Sequence, residues 1–348
     1  MSDAAQTVLN VTMAEAEPLI MDILKPRLVP MLVSHPGIGK SALAHQIAKK
    51  NQLKLIDIRL SQCDPADLNG FPWMDEKTGK ASYRPMDIFP LEGDSIPDGY
   101  AGWLVLLDEL NSAPKSVEAA SYKILLDRMI GMKKLHSRCL VMGAGNMKDS
   151  KAIVNSSGTA QQSRLIWLEI RACMKAWLEW ADRSGIDHRI KAYLQFKPDM
   201  LHKFDPNHKD RTFPCPRTWE FLSKIIIDWK VIEAKKLALL AGTISAGAAR
   251  EFFSYSQIYQ EIPTLDAILA NPGSVHFGNE PSMHYALAGL VSNHLNEHNA
   301  DALFEFLDRL SADFQMSSVR AAIARDHKVR KTEAFKGWYS ARSWELVY

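Results

Sequence analysis

Ser34-His35-Pro36-Gly37-Ile38-Gly39-Lys40-Ser41 is the stretch that decides how this chain reads. It follows an apolar run, Leu28-Val29-Pro30-Met31-Leu32-Val33, and opens into Ala42-Leu43-Ala44-His45-Gln46-Ile47-Ala48, where apolar residues recur at helical spacing. Strand, glycine-rich turn ending in Gly-Lys-Ser, and helix together make a phosphate cradle. Backbone N–H groups between Ser34 and Ala42 wrap the anion, Lys40 offsets the β/γ charge, and the Ser41 hydroxyl reaches a divalent cation. The usual pattern begins with Gly, and Ser34 stands there instead. Ser is small and precedes the residues that touch phosphate, so the change weakens the pattern more than the chemistry.

Outward from the cradle, strands and helices alternate. Leu53–Leu60 alternates apolar and polar residues and predicts a second strand. Trp103-Leu104-Val105-Leu106-Leu107 is wholly apolar, as a central parallel strand requires, and Asp108-Glu109 follow at once. Ser116 to Arg128 has helical spacing, with Ser116 as N-cap. Cys139–Asn146 predicts a buried strand ending in a polar residue, and Leu165–Ile170 a short further one. Near residue 171 the alternation stops. Helices are predicted over 172–184, 187–197, 216–232, 234–254 and much of 283–328, with a Pro/Gly break around 270–282. The fold class is therefore α/β: a nucleotide domain with a parallel sheet over 1–170, a helical lid over 171–255 and a helical extension over 256–348. Residues 64–100, rich in Gly, Pro and Asp, predict a long loop or hairpin insertion. Most of its aromatics, Phe71, Trp73, Tyr83 and Phe89, are expected to pack it onto the domain.

An acidic pair after a strand often just begins a solvated turn. Here it lies 67 residues after the Gly-Lys-Ser loop, and the two features belong to one motif set. In that set Asp108 holds Mg²⁺ through water and, with Ser41, forms the metal site. Glu109 polarises the attacking water.

Ser34–Ser41, Leu107-Asp108-Glu109-Leu110-Asn111-Ser112-Ala113-Pro114 and Gly143-Ala144-Gly145-Asn146 together resemble an AAA+ ATPase over roughly residues 10–235. The Asp-Glu-Leu-Asn-x-Ala-Pro form, and Asp64-Pro65-Ala66-Asp67-Leu68-Asn69-Gly70-Phe71-Pro72, are similar to the MoxR branch. The resemblance implies ATP and Mg²⁺ as cofactors and a homo-oligomeric ring, a hexamer in the family. It implies that Asn146 is sensor 1, orienting the hydrolytic water. Arg164 falls where the family places the arginine finger that enters a neighbouring subunit's site; Arg171 and Arg128 are alternatives, because the family's Asp-Arg-Phe context is missing. Pro216-Arg217-Thr218-Trp219 resembles the lid motif in which the Arg, here Arg217, is sensor 2. A separate partner carrying a von Willebrand factor A domain is implied by the resemblance alone. The implied function is ATP-driven remodelling of a partner protein. A nucleic-acid motor or loader and a non-hydrolysing nucleotide-binding scaffold are the alternatives.

Bulk composition narrows the classes. The chain has 348 residues, 47% hydrophobic and 24% charged, with a net charge of +2, which gives no electrostatic ground for nucleic acid as main partner. Its four cysteines form no CxxC pair and suit a reducing cytosol. No signal peptide and no apolar run of membrane length is visible, so a cytoplasmic protein is expected. The basic run Arg325–Lys331, followed by Trp338, Tyr339, Trp344 and Tyr348, reads as a solvated helix end and an aromatic-anchored tail.

Overall fold

A computed structural model describes residues 9–77, 79–147 and 163–342. The chain divides into two compact units. The first comprises the described residues up to Ala172 together with Asp205–Asn207.

This unit is built on a six-stranded sheet in the order β1-β10-β2-β9-β6-β3, and every neighbouring pair is parallel. Its strands are β1 (Asn10–Val11), β2 (Pro30–Ser34), β3 (Leu53–Arg59), β6 (Gly102–Asp108), β9 (Cys139–Asn146) and β10 (Ile166–Ile170). Helices α1 (Met13–Leu24), α2 (Lys40–Lys50), α3 (Pro65–Asn69) and α4 (Lys115–Tyr122) accompany them. Parallel strands are joined by crossovers that lay helices on both faces, so the strands must be apolar on both sides. That is what β6 shows: all seven of its residues are buried. Trp103, Val105 and Leu107 enter one core with Val117 and Ile124, whereas Leu104 and Leu106 enter the other with Ile20 and Ile47. From β2 the chain crosses to the far edge at β3 and later returns on the other side as β10. This reversal opens a crevice beyond the carboxyl end of β2, where open α/β sheets bind ligands.

Two predicted details differ, the bounds of the 116–128 helix and the burial of the insertion's aromatics, while the insertion does form a hairpin. α4 begins with Pro114, not Ser116, at its N-cap, and after Tyr122 it widens into a π-helical turn, Lys123–Asp127. The 64–100 insertion holds α3 and an antiparallel hairpin of β4 (Phe71–Asp75) and β5 (Lys80–Arg84). Of its four aromatics only Phe89 is buried; Phe71, Trp73 and Tyr83 are exposed, and the Arg84 guanidinium lies 4.4 Å over the Trp73 ring. A two-stranded ribbon offers both faces to solvent, so alternate side chains have nothing of their own domain to bury against. A second small hairpin pairs β7 (Met129–Ile130) with β8 (Lys133–Lys134).

The second unit comprises Cys173–Phe204 and the described residues from His208 onward. It is helical, as the periodicity predicts. The stretch predicted as one helix over 234–254 is two, Leu237–Ile244 and Ala246–Gln257, broken where Ser245 takes φ +79°. One aromatic cluster packs Trp219, Tyr193, Phe252 and Tyr255. A second core draws on Leu287, Val291, Leu303, Phe306, Ala322 and Trp338. The Trp338 indole N–H donates to Gln315 Oε1 at 2.9 Å, so that aromatic does anchor the chain's late segment; Trp344 and Tyr348 lie outside the described residues. No described helix is long and apolar enough to cross a membrane.

Candidate nucleotide site

The loop after β2 turns on two glycines in left-handed geometry, Gly37 at φ +81° and Gly39 at φ +115°. Gly39 caps α2, so the first free N–H groups of that helix face the crevice. Any other residue at these two positions would be strained.

Three strand ends converge here. Ser34 ends β2 in register with Asn146 at the end of β9, and Asp108 ends β6. Lys40, 8% exposed, donates from Nζ to Ser34 Oγ at 2.9 Å and to Asn146 Oδ1 at 3.3 Å. Ser34 Oγ in turn donates to the His35 carbonyl at 2.8 Å. The residue that departs from the usual pattern is therefore a ligand of the cradle's lysine, which sequence reasoning did not foresee. Ser41 Oγ donates to Asp108 Oδ2 at 2.7 Å. A hydroxyl beside a carboxylate at this point is the hard oxygen set that Mg²⁺ prefers. No cluster of three or more His, Cys, Asp or Glu side chains forms among the described residues, so such a cation would also draw on phosphate oxygens and water. On β3, burial and the Asp108 carboxylate raise the Asp57 carboxyl above its ordinary range, with His45 and Arg59 opposing.

Glu109 holds φ 56°, ψ 32°, a left-handed conformation that non-glycine residues rarely take and that clusters at functional sites. Its carboxylate Oε2 accepts from Ser61 Oγ. Ser61 carried no signal in isolation. The pairing of Arg59 with Asp108 puts it there, two residues beyond the end of the adjacent strand. Asn111 was also missed; it sits beneath β9, bonded to the backbone of Asn146.

The arginines separate. Ile166 pairs with Pro30 at the start of β2, and its N–H donates to the Val29 carbonyl. Exposed Arg164 therefore lies at the amino ends of the strands. The cradle is at their carboxyl ends, a β2 length of about 13 Å away at ~3.3 Å per residue. Gln161 and Gln162, which precede it in the motif, lie outside the described residues. Arg171 pairs with Glu169 at 3.2 Å. Arg128 is half-buried and donates to the Cys139 carbonyl. Arg217 is exposed in the first turn of the helix Pro216–Ile226, within the second unit.

A phosphate loop at the switch point of a parallel sheet, with a serine–aspartate pair and a neighbouring glutamate, defines a P-loop nucleotide-hydrolase core. Residues 30–155 match the model of the AAA family, the ATPase family associated with various cellular activities. The chain thus carries an AAA ATPase domain and is an ATP-hydrolysing enzyme. No curated protein matches it. Similar solved structures include a variant of RuvB from Thermotoga maritima, 18% identical, with a TM-score of 0.39 and 74% of each chain covered. RuvB of the same organism, described as a Holliday junction branch migration motor, is 18% identical with a TM-score of 0.36 and the same coverage. A protein from Cytophaga hutchinsonii described as an ATPase is 15% identical with a TM-score of 0.35, covering 88% of this chain and 79% of that one.

Proposed function

We propose that the chain is a MoxR-type AAA+ ATPase that hydrolyses ATP in a homo-oligomeric ring, a hexamer on the family resemblance, to remodel or activate a partner protein. The observation that carries this is the convergence of Lys40, Ser41, Asp108, Glu109 and Asn146 at the carboxyl ends of three adjacent strands. Such strand ends fix side chains on rigid backbone, which in-line phosphoryl transfer needs, because its catalysis is mostly positioning and charge compensation.

In this reading the loop Ser34–Ala42 holds the phosphates through its N–H groups, and Lys40 leaves Ser34 to donate to the β/γ oxygens. Ser41 and Asp108 hold Mg²⁺, which supplies charge compensation at the phosphoryl oxygens. Glu109 takes the proton of the attacking water once its carboxylate is released from Ser61, and Asn146 orients that water. Arg164, at the amino ends of the strands, acts on the next subunit's cradle, which makes the ring part of the site. Arg217 contributes from the helical part as sensor 2. The client, and a partner with a von Willebrand factor A domain, rest on the family resemblance.

The test is Glu109→Gln. It is expected to abolish turnover and retain ATP binding, so that with ATP present it holds ring and client together in a pull-down. Turnover at the unaltered rate would remove Glu109 from the role of base.

A further inference from the structure

Asn111 is 6% exposed and follows Glu109 by two residues in a short 3-10 turn. Its side chain turns back under the end of β9. Nδ2 donates to the Asn146 carbonyl at 2.6 Å, and Oδ1 accepts from the Asn146 N–H at 3.0 Å. One amide therefore satisfies both backbone groups of the residue whose own Oδ1 accepts from Lys40.

The need for this follows from the register. On one side of β9 the ladder with β2 runs to Ser34 and Asn146, and the Met147 N–H still reaches the Ser34 carbonyl. On the other side the ladder with β6 stops at Leu107 and Gly143, because the chain leaves the sheet at Asp108 and Glu109. The last residues of β9 have lost their second neighbour strand. The Asn111 amide, a donor and an acceptor in one plane, stands in for the missing peptide. Gly145 makes room for it: a Cβ there would lie 2.3 Å from Asn111 Oδ1.

We propose that Asn111 is a positioning residue for ATP hydrolysis: it fixes Asn146 against the phosphate loop and ties it to the turn that carries Glu109. The Ser112 N–H bonds the Glu109 carbonyl at 2.9 Å, so the turn and the strand end form one hydrogen-bonded body. This rests on the reading that Asn146 orients the attacking water.

The experiment is a double-mutant cycle on the full chain: Asn111→Ala, Asn146→Ala and the pair, with steady-state ATP hydrolysis, ATP affinity and thermal melting for each. Coupled residues are non-additive in such a cycle, independent ones are additive. Asn111→Ala is expected to lower kcat about tenfold or more with ATP affinity within about twofold, the pattern of a lost transition-state contact. In the Asn146→Ala background it should lower kcat by less than about twofold. Asn111→Asp keeps the acceptor for the Asn146 N–H and loses the donor; it should fall between, and serves in place of Asn111→Ala if that variant does not fold. Unaltered kcat in Asn111→Ala, or two losses that multiply in the pair, would overturn the inference. Unaltered kcat in Asn146→Ala would instead overturn the role of Asn146 itself.

Discussion

Replacing Ser34 by Ala probes what holds Lys40 when no phosphate is there to hold it. The ammonium is almost wholly buried and donates to Ser34 Oγ at 2.9 Å. A hydrogen bond from a charged group is worth ~1.5–3 kcal/mol net, and a buried charge that loses an acceptor forfeits that amount. Two longer contacts remain in the variant, Asn146 Oδ1 at 3.3 Å and the Ser34 carbonyl at 3.5 Å. The nucleotide-free variant should therefore be ~1.5–3 kcal/mol less stable to denaturant than the parent. With ATP in the cradle, Lys40 donates to phosphate oxygens and the serine hydroxyl matters little. The loss then falls on the free state alone, and by linkage ATP should bind more tightly, roughly tenfold for every 1.4 kcal/mol. The assay is urea unfolding with and without ATP·Mg²⁺ in a Glu109→Gln background, which prevents turnover, together with an ATP binding isotherm. Unchanged stability of the free protein, or ATP affinity that stays level or weakens, would refute the reasoning.

Arg164→Ala should lower turnover about 10³-fold, the scale of an arginine finger, with ATP affinity near that of the parent. Mixing it with Lys40→Ala protein should recover activity that neither has alone, because an intact Arg164 then meets an intact neighbouring cradle; no recovery would end the reading in trans. In the helical unit, burial pushes His188 down to about 4, with Arg189, His294 and Lys191 acting in the same direction and Asp187 against them. As pH falls below ~6.5 the unfolded chain takes up the proton first, so stability should decline between pH ~6.5 and ~4, by up to about 3 kcal/mol. His188→Gln should flatten that decline in thermal melts between pH 7.5 and 5, and identical pH profiles would count against it.

The core of the fold was legible because parallel strands advertise themselves. Trp103–Leu107 is apolar at every position because both its faces are covered. The cradle was legible because its loop needs glycine at particular backbone angles. What stayed hidden depended on neighbours in space. Ser61 reaches Glu109 only through the pairing of β3 with β6, and Asn111 matters only because β6 ends before β9 does. The exposed Phe71, Trp73 and Tyr83 were misread because aromatic content predicts burial, but a two-stranded ribbon has little domain to bury into. The two-residue β1 was too short to leave a period.

The strand order has a consequence for how the enzyme comes into being. β2 carries the cradle, yet both strands that flank it, β9 and β10, are more than a hundred residues further along. During synthesis the β3–β6 pair can form early, whereas β2 must wait unpaired until β9 has been made and gains its second neighbour only with β10. Closing so long a loop is entropically costly and slow. Nucleotide affinity should therefore switch on late in translation, making ATP a ligand that recognises the finished sheet and not its nascent pieces.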